Sequence, residues 1–477
     1  MPIQFIDNAS IDKKTRTLIR SHVAKGKNLG RTIHRPSRHS RKRNVAASVV
    51  SSSKLPPDTE SESSGNDSLE SSLSIQRHIQ GDLSTLLPFE VSQTCQRIFH
   101  RFVTFMHVAS YPPQLSNTVI NVSGPRLFLQ YAFVDEAFFH CVVAMSVAVA
   151  VALPVTRQET TEALCHLSRC LRLVNQRLAG DRELALSDST LGAVVVMTQL
   201  ERILGYHRHA LIHFEGLQRI IALRGGITKL ILDSPGIAQK ALRADFDFAL
   251  QFGSPTVFGA ECVPGTATLD WLHAKYRGGR AGSPNTVAFI AWVNPNLRGV
   301  YEDISTLAWL VNDNAVHGVR VNDYDFHNLL LLVGYRLVKI RSLNSPIEAS
   351  DKFELLLHLG LAGLVSMFFA TLGVKPLDML LLRRCVVSAT SGKHDDDKEE
   401  QELVLWLLFV GKTSVFREKD EDVWLIPKIS QVATLLGLST WDHVSATLQK
   451  FPWVRVFSDD AAQTLWDQIG LFSRLPF

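Results

Sequence analysis

The stretch Ala185–Thr228, ALSDSTLGAVVVMTQLERILGYHRHALIHFEGLQRIIALRGGIT, decides how the rest of the chain is read. Ser187 and Asp188 offer side-chain oxygens to the amides of a first helical turn, and Ala193, Val196, Met197, Leu200, Ile203 and Leu204 then recur at helical spacing. Leu191, Val194 and Val195 fill much of the remaining circumference, so this helix is apolar almost all round and belongs inside a multi-helix body. Gly205 breaks it. A second helix carries Phe214, Leu217, Ile220, Ile221 and Leu223 inward and stops at Arg224, Gly225 and Gly226, a cation near the helix carbonyls followed by residues able to turn left-handed.

Outward from this pair the pattern stays helical. Helices are expected over 89–108, 135–153, 159–178, 242–252, 301–311, 328–342 and 355–374, with Glu162, Arg169, Arg172 and Arg177 outward on the third. The stretch 253–283 ends in GGRAGSP and reads as a long surface loop or a mobile connection. Residues 391–402, SGKHDDDKEEQE, read as a charged loop entering a helix with an acidic first turn. Strands are not required, and 454–457 is the only tempting candidate. The apolar run within 135–153 is about 17 residues long, contains His140 and Ser146 and stops at Pro154, short of the ~20 apolar residues a bilayer core requires. The run 355–374 holds His358 and several glycines and lacks a cationic flank, so both are read as buried helices and no membrane contact is expected.

With 46% hydrophobic and 20% charged residues over 477 positions, the chain can bury a large core. Its net charge of +4 hides an asymmetry: residues 1–57 carry about +11 and the remainder about −7. Lys13, Lys14, Arg16 and Arg20 surround a transient apolar face of Ile11, Leu18, Ile19 and Val23. Further on, Arg35, Arg38, Arg41, Lys42 and Arg43 lie in a segment without any acidic residue. Such a cluster suits a nuclear-import receptor or a phosphate backbone, and equally reads as a solvated tail with no dedicated partner. No aromatic residues interleave it, so base stacking has no platform. The Ser-rich and acidic stretch that follows, including DTESESSGNDSLE at 58–70, lacks the apolar content to repay its ordering and reads as a linker.

The pattern His213, Gly216, Leu217, Leu223, Arg224, Gly225, Gly226, preceded by a Ser/Asp-led apolar helix, resembles the helical regulatory region of fungal-specific transcription factors. Later landmarks agree in order and spacing: Asp245 and Asp247 before Pro255 and Phe258, LVLWLLFVG at 403–411 with Trp406 and Gly411, Trp424, Trp441, FPW at 451–453 with Trp453, and Leu465 with Trp466. The opening FIDNASIDKKTRTLIRSHVAKGKNLG is similar to the first segment of family proteins that lack the zinc cluster. In this family the region normally follows a zinc-cluster DNA-binding domain, whose two metals need six closely spaced thiolates. Here Cys95, Cys141, Cys165, Cys170, Cys262 and Cys385 are scattered, with only Cys165 and Cys170 close, and they read as reduced, mostly buried thiols.

Other chemistry has weak candidates. His209 and His213 lie four apart and could face one metal, but no HExxH or carboxylate at a suitable offset accompanies them. His394 beside Asp395, Asp396 and Asp397 reads as a solvated charge run. Gly411, Lys412 and Thr413 mimic the end of a phosphate loop, yet Trp406 stands where the first glycine should be. The tryptophans from Trp406 to Trp466 are expected to fill a core rather than line an effector pocket. No catalytic residue, cofactor or metal is therefore assigned, and no enzyme is expected.

The reading is an all-α protein: a basic segment 1–47, a disordered Ser/acidic linker 48–80, and a large multi-helix regulatory domain 81–477. The resemblance implies a nuclear regulator of transcription acting through protein contacts, without its own zinc cluster. Expected partners are transcription machinery or related regulators, a nuclear-import receptor, weakly and non-specifically DNA, and a second copy or a related chain in a homo- or heterodimer. A DNA-associated regulator using the basic tail and a metabolite-binding or enzymatic helical protein remain as alternatives.

Overall fold

A computed structural model describes residues 91–100, 115, 117–120, 130–149, 156–280, 288–312, 319–345, 352–370, 379–391, 397–416 and 419–472, all within one compact unit, Leu83–Phe477. The basic segment, the Ser-rich linker and residues 371–374 and 394–396 lie outside the described residues, as do the ends of the helices expected over 89–108 and 135–153. The fold class is all-α. After a helical segment at 93–100, the chain forms α1 (Glu136–Val149), α2 (Arg157–Gly180), α3 (Arg182–Ala185), α4 (Asp188–Ile203), α5 (His207–Leu223), α6 (Ile227–Asp233) and α7 (Pro235–Phe252). It continues through α8 (Thr266–Arg280), α9 (Pro295–Asn312), α10 (Asp323–Ile340), α11 (Lys352–Ala370), α12 (Leu380–Ser391), α13 (Lys398–Ser414), α14 (Asp422–Leu435), α15 (Trp441–Leu448) and α16 (Arg455–Phe472).

Packing is sequential and layered. Helix α1 lies against α2 and α4, α4 against α5 and α7, α7 against α10, α10 against α9 and α11, and α11 against α12 and α13. Local sequence starts several of these helices. Thr156 and Glu159 form a reciprocal capping box on α2, with Glu159 N donating to Thr156 Oγ1 at 3.2 Å and Thr156 N to Glu159 Oε2 at 2.9 Å. Ser187 caps α4 through Thr190 N, and Asp397 caps α13 ahead of the acidic first turn Glu399 and Glu400.

The deepest layer is α11 on α13. Every residue from Leu403 to Gly411 is buried, and 83% of the apolar window of α11 is buried inside the protein, so it is a core helix. The glycines of α11 do not interrupt it; they let α13 approach. A Cβ on Gly360 would lie 2.1 Å from the Trp406 ring. That ring cannot retreat, because Trp406 Nε1 donates to the Pro452 carbonyl at 3.0 Å and the indole stacks on Phe451 at 5.2 Å. Trp406 and Trp453 are buried, whereas Trp424, Trp441 and Trp466 are half-buried.

Several expectations require correction. The stretch 253–283 is not a loop: it holds a 3-10 turn at Ala260–Cys262 and then α8, because Leu269, Leu272 and Tyr276 recur at helical spacing and bury one face. The only strands among the described residues are β1 (Val119–Ile120) and β2 (Val321–Asn322), paired in parallel, Val119 with Val321. Residues 454–457 instead lead into α16, with Val454 buried at its start. Arg177 turns inward, its guanidinium 2.9 Å from Asp135 Oδ2, while Leu204 and Leu223 are exposed helix-end residues rather than core.

Gly360→Ala should force the Trp406 ring against its neighbours and cost about 1–3 kcal/mol, the usual range for overpacking. Urea unfolding of the full chain checks this; a variant as stable as the parent would show that the α11–α13 contact can relax.

Candidate functional site

One motif residue, Arg224, meets the carboxylate of Asp188. Asp188, at the first turn of α4, does not cap its own helix as the sequence suggested. Its Oδ2 accepts from Ser234 Oγ at 2.6 Å and Tyr131 OH at 3.1 Å, and its Oδ1 accepts from Arg224 Nη1. Burial pushes the Asp188 carboxyl up, but the hydrogen bonds from Ser234, Arg224 and Tyr131 outweigh it and hold it below the ordinary carboxylate value. The Arg224 guanidinium therefore joins the end of α5 to the start of α4. The α5 carbonyls are closed by the two glycines: Gly226 N donates to Ile221 O at 2.9 Å and Gly225 N to Ala222 O at 3.1 Å, with φ of 92° and 99°. Residues with a Cβ strain in this conformation, so the Gly-Gly stop is a backbone requirement. Nothing in the structure explains Gly216, whose added Cβ would meet open space.

A second cluster lies where α4, α7, α10 and α11 meet. Arg202 of α4 donates to Asp247 Oδ2 at 2.8 Å, and Arg243 Nε donates to Asp247 Oδ1 at 2.7 Å. The side chains of Arg202 and Asp247 are 0% and 2% exposed. Two guanidiniums thus share one carboxylate, and the excess positive charge rests on aromatic faces: Arg202 lies 5.0 Å from the Phe248 ring centre and Arg243 3.7 Å from that of Phe369. Burial pulls the Arg243 guanidinium down, opposed by Asp247. Sequence reading singled out Asp247 but missed Arg202. Its signal was a charge on a helix apolar all round, which must find a partner inside.

The neighbouring Asp245 organises the chain after α7. Its carboxylate accepts from the amides of Val257 and Phe258, each at 2.9 Å. The Tyr335 hydroxyl of α10 lies 2.8 Å from Asp245 Oδ2 and 3.0 Å from the Leu242 carbonyl oxygen. Burial raises the Asp245 carboxyl even against these three donors. The spacing of Asp245 from Pro255 and Phe258 is thus the length of turn that one carboxylate can cap. Farther along α7, Gln239 Nε2 reaches Asn328 Oδ1 and the Tyr324 carbonyl, at 2.8 and 2.9 Å, and fastens the same two helices again.

The other candidates separate. His209 lies 3.7 Å from Glu201 Oε2, and His213 is buried, its imidazole pushed down to about 4 by desolvation and by His209. Among the described residues no group of three or more His, Cys, Asp or Glu side chains is placed to hold a metal ion. Leu217 fills the core. Gly411 lies inside α13, where an added Cβ would strike the Phe416 ring; Lys412 pairs with Asp422 and Thr413 Oγ1 bonds back to the Val410 carbonyl, so no phosphate cradle forms. Cys170 is buried on α2 and Cys165 is exposed.

The class defined by these features is an all-helical domain whose signature residues fasten helix ends together. Residues 114–252 match the family described as fungal specific transcription factor domain. Both clusters are centred within it, and the landmarks from Pro255 onward lie beyond the matched span. The class indicated is a transcription regulator, and the family is one of regulatory domains and not of enzymes. Comparison with curated proteins and with solved structures returned no match.

Two outcomes follow from the buried groups. Asp247→Ala strands Arg202 without a counter-charge and should cost about 3–5 kcal/mol, whereas replacing Arg202, Arg243 and Asp247 together by Met, Met and Leu should be near neutral. Equal losses in the two variants, read by urea unfolding, would remove the shared-carboxylate account.

His140, His213 and His358 are each pushed down to about 4, chiefly by burial, so the folded chain binds fewer protons than the unfolded one between about pH 6.5 and about 4. Stability from these groups is present above that window and is lost as pH falls through it. Glu201, raised to about 7 by burial, acts in the opposite sense between its ordinary 4.5 and about 7, and Asp245, also raised by burial, acts in that sense too, but these two carboxyls stand against three imidazoles. Unfolding free energy should therefore be lower at about pH 5 than at about pH 7; an unchanged or higher value at the acidic pH would show that these histidines are not held neutral.

Proposed function

We propose that this chain is a nuclear regulator of transcription whose helical body works through protein contacts, carrying no zinc cluster within these 477 residues. The observation that carries the reading is the family match over 114–252 together with what charged residues and glycines within that span do. Asp188, Arg224, Gly225 and Gly226 fix helix ends, and Arg202, Asp247 and Arg243 lock helices to one another. Such residues build a rigid platform. Large apolar side chains remain exposed at the turns of that platform, at Leu204, Tyr206, Leu223 and Leu232, as a docking surface requires. The basic segment ending in Arg41, Lys42 and Arg43 supplies the charge that an import receptor reads, and the body it precedes is acidic. A homo- or heterodimer with a related chain belongs to the same reading.

A fluorescently tagged full-length chain in fungal cells should concentrate in the nucleus, and changing Arg41, Lys42 and Arg43 to Gln should redistribute it to the cytoplasm. The full chain fused to a heterologous DNA-binding domain should change reporter output severalfold. Cytoplasmic residence of the parent, or a silent fusion, would overturn the reading. Tight DNA binding by the unfused chain with a steep salt slope would instead favour direct phosphate contact through residues 13–43.

A further inference from the structure

Helix α2 carries two apolar stripes, and the fold uses one of them. The helix runs 24 residues, about 36 Å at the usual rise, packs on α1 and touches α4. Ala163, Leu167, Cys170 and Val174 are its buried face. Leu164, Leu171 and Leu178 repeat every seventh residue along a different line of the same helix. Leu164 is 57% exposed, Leu178 is 46% exposed and Leu171 is half-buried. A leucine at each heptad along one exposed line is the pattern by which a helix meets another helix, and no described helix of this chain covers it. Ser168 and Asn175, both exposed, stand between the leucines at three- and four-residue spacing, and exposed Arg157 lies one heptad before Leu164.

We propose that α2 is the surface through which two copies of this chain pair, antiparallel, about a two-fold axis at Leu171. This deepens the homodimer included in the reading above by naming its surface. A second copy is selected because the stripe reads alike in both directions: leucine, polar, leucine, polar, leucine. A two-fold interface requires that self-complementarity, since the same patch serves both subunits. Reversing one copy sets Leu164 against Leu178 of the partner subunit, Leu171 against Leu171 of the partner subunit, and Ser168 against Asn175 of the partner subunit.

The charges at the two ends of the stripe choose the orientation. Arg157 opens α2, and Glu183 lies just past its other end; both are exposed, and neither side chain enters an ion pair among the described residues. Neighbouring Asp181 is already engaged, its Oδ1 accepting from the amides of Glu183 and Leu184 at the start of α3. Antiparallel pairing brings Arg157 to Glu183 of the partner subunit at both ends of the interface, whereas parallel pairing sets arginine on arginine and glutamate on glutamate. Exposed pairs of this kind contribute little energy and mainly fix orientation, so the leucines supply the affinity. One helix pair buries less than the roughly 1,600 Å² of a standard interface, which places the dimer in the micromolar range.

The test is sedimentation equilibrium of the full chain under reducing conditions from about 1 to about 200 μM. The mass should rise from monomer to dimer across that range. Leu164→Glu combined with Leu178→Glu should raise the dissociation constant about tenfold or more; both positions are exposed, so circular dichroism should show the variant folded. Glu183→Arg should weaken the dimer severalfold, and adding Arg157→Glu to the same chain should restore it. Orientation is read with bismaleimidoethane in a Cys165→Ser background, because Cys165 is an exposed thiol on the same helix. A mixture of Leu164→Cys and Leu178→Cys chains should be joined, and neither chain alone. The proposal is overturned by a chain that stays monomeric throughout, by a folded double-glutamate variant that dimerises like the parent, by a charge swap that restores nothing, or by either cysteine chain joining to itself as fast as the mixture. A monomeric chain would leave the nuclear reading standing, and a cytoplasmic one would leave the dimer standing.

Discussion

The structure depends on satisfying charge inside helix α7. This helix is covered by α4 on one side and α10 on another, so any ionised group on it must find its counterpart within the protein or forfeit its hydration uncompensated. Asp247 does so with Arg202 and Arg243, Asp245 with two loop amides and the Tyr335 hydroxyl. A hydrophobic contact between two helices tolerates sliding; a carboxylate shared by two guanidiniums does not. The placement of α4 and α10 on α7 is thus specified by directional bonds, and the apolar core then fills the space they define.

Helix ends are fixed by the same economy of groups. Asp188 gathers the end of α5, the start of α7 and the 3-10 turn carrying Tyr131 onto the first turn of α4. Gly225 and Gly226 close the α5 carbonyls in a backbone conformation that side chains disfavour. Beyond α7, close packing joins the directional bonds. Trp406 against Gly360 brings α13 and α11 to near contact, and the sheet reduces to one parallel two-residue clip between β1 and β2.

These features describe a helical body whose buried charges are paired across helices. Charge is divided along the chain, the basic part lying ahead of an acidic body.

Sequence by itself determined the helical class, the paired helices α4 and α5, their stops at Gly205 and Gly225–Gly226, and the burial of α11 and α13, because periodicity, capping and left-handed glycines act over a few neighbouring residues. It also marked Asp245 and Asp247 as landmarks without saying why. Only the tertiary structure decided that Arg202 and Arg243 share Asp247, that Asp188 binds Arg224 and Ser234 rather than its own helix end, and that Arg177 turns inward. It also turned the Gly-rich stretch after α7 into α8. A charge reveals in sequence only that it needs a partner. Which partner it finds is fixed by helices that meet across dozens of intervening residues, and no local pattern encodes that meeting.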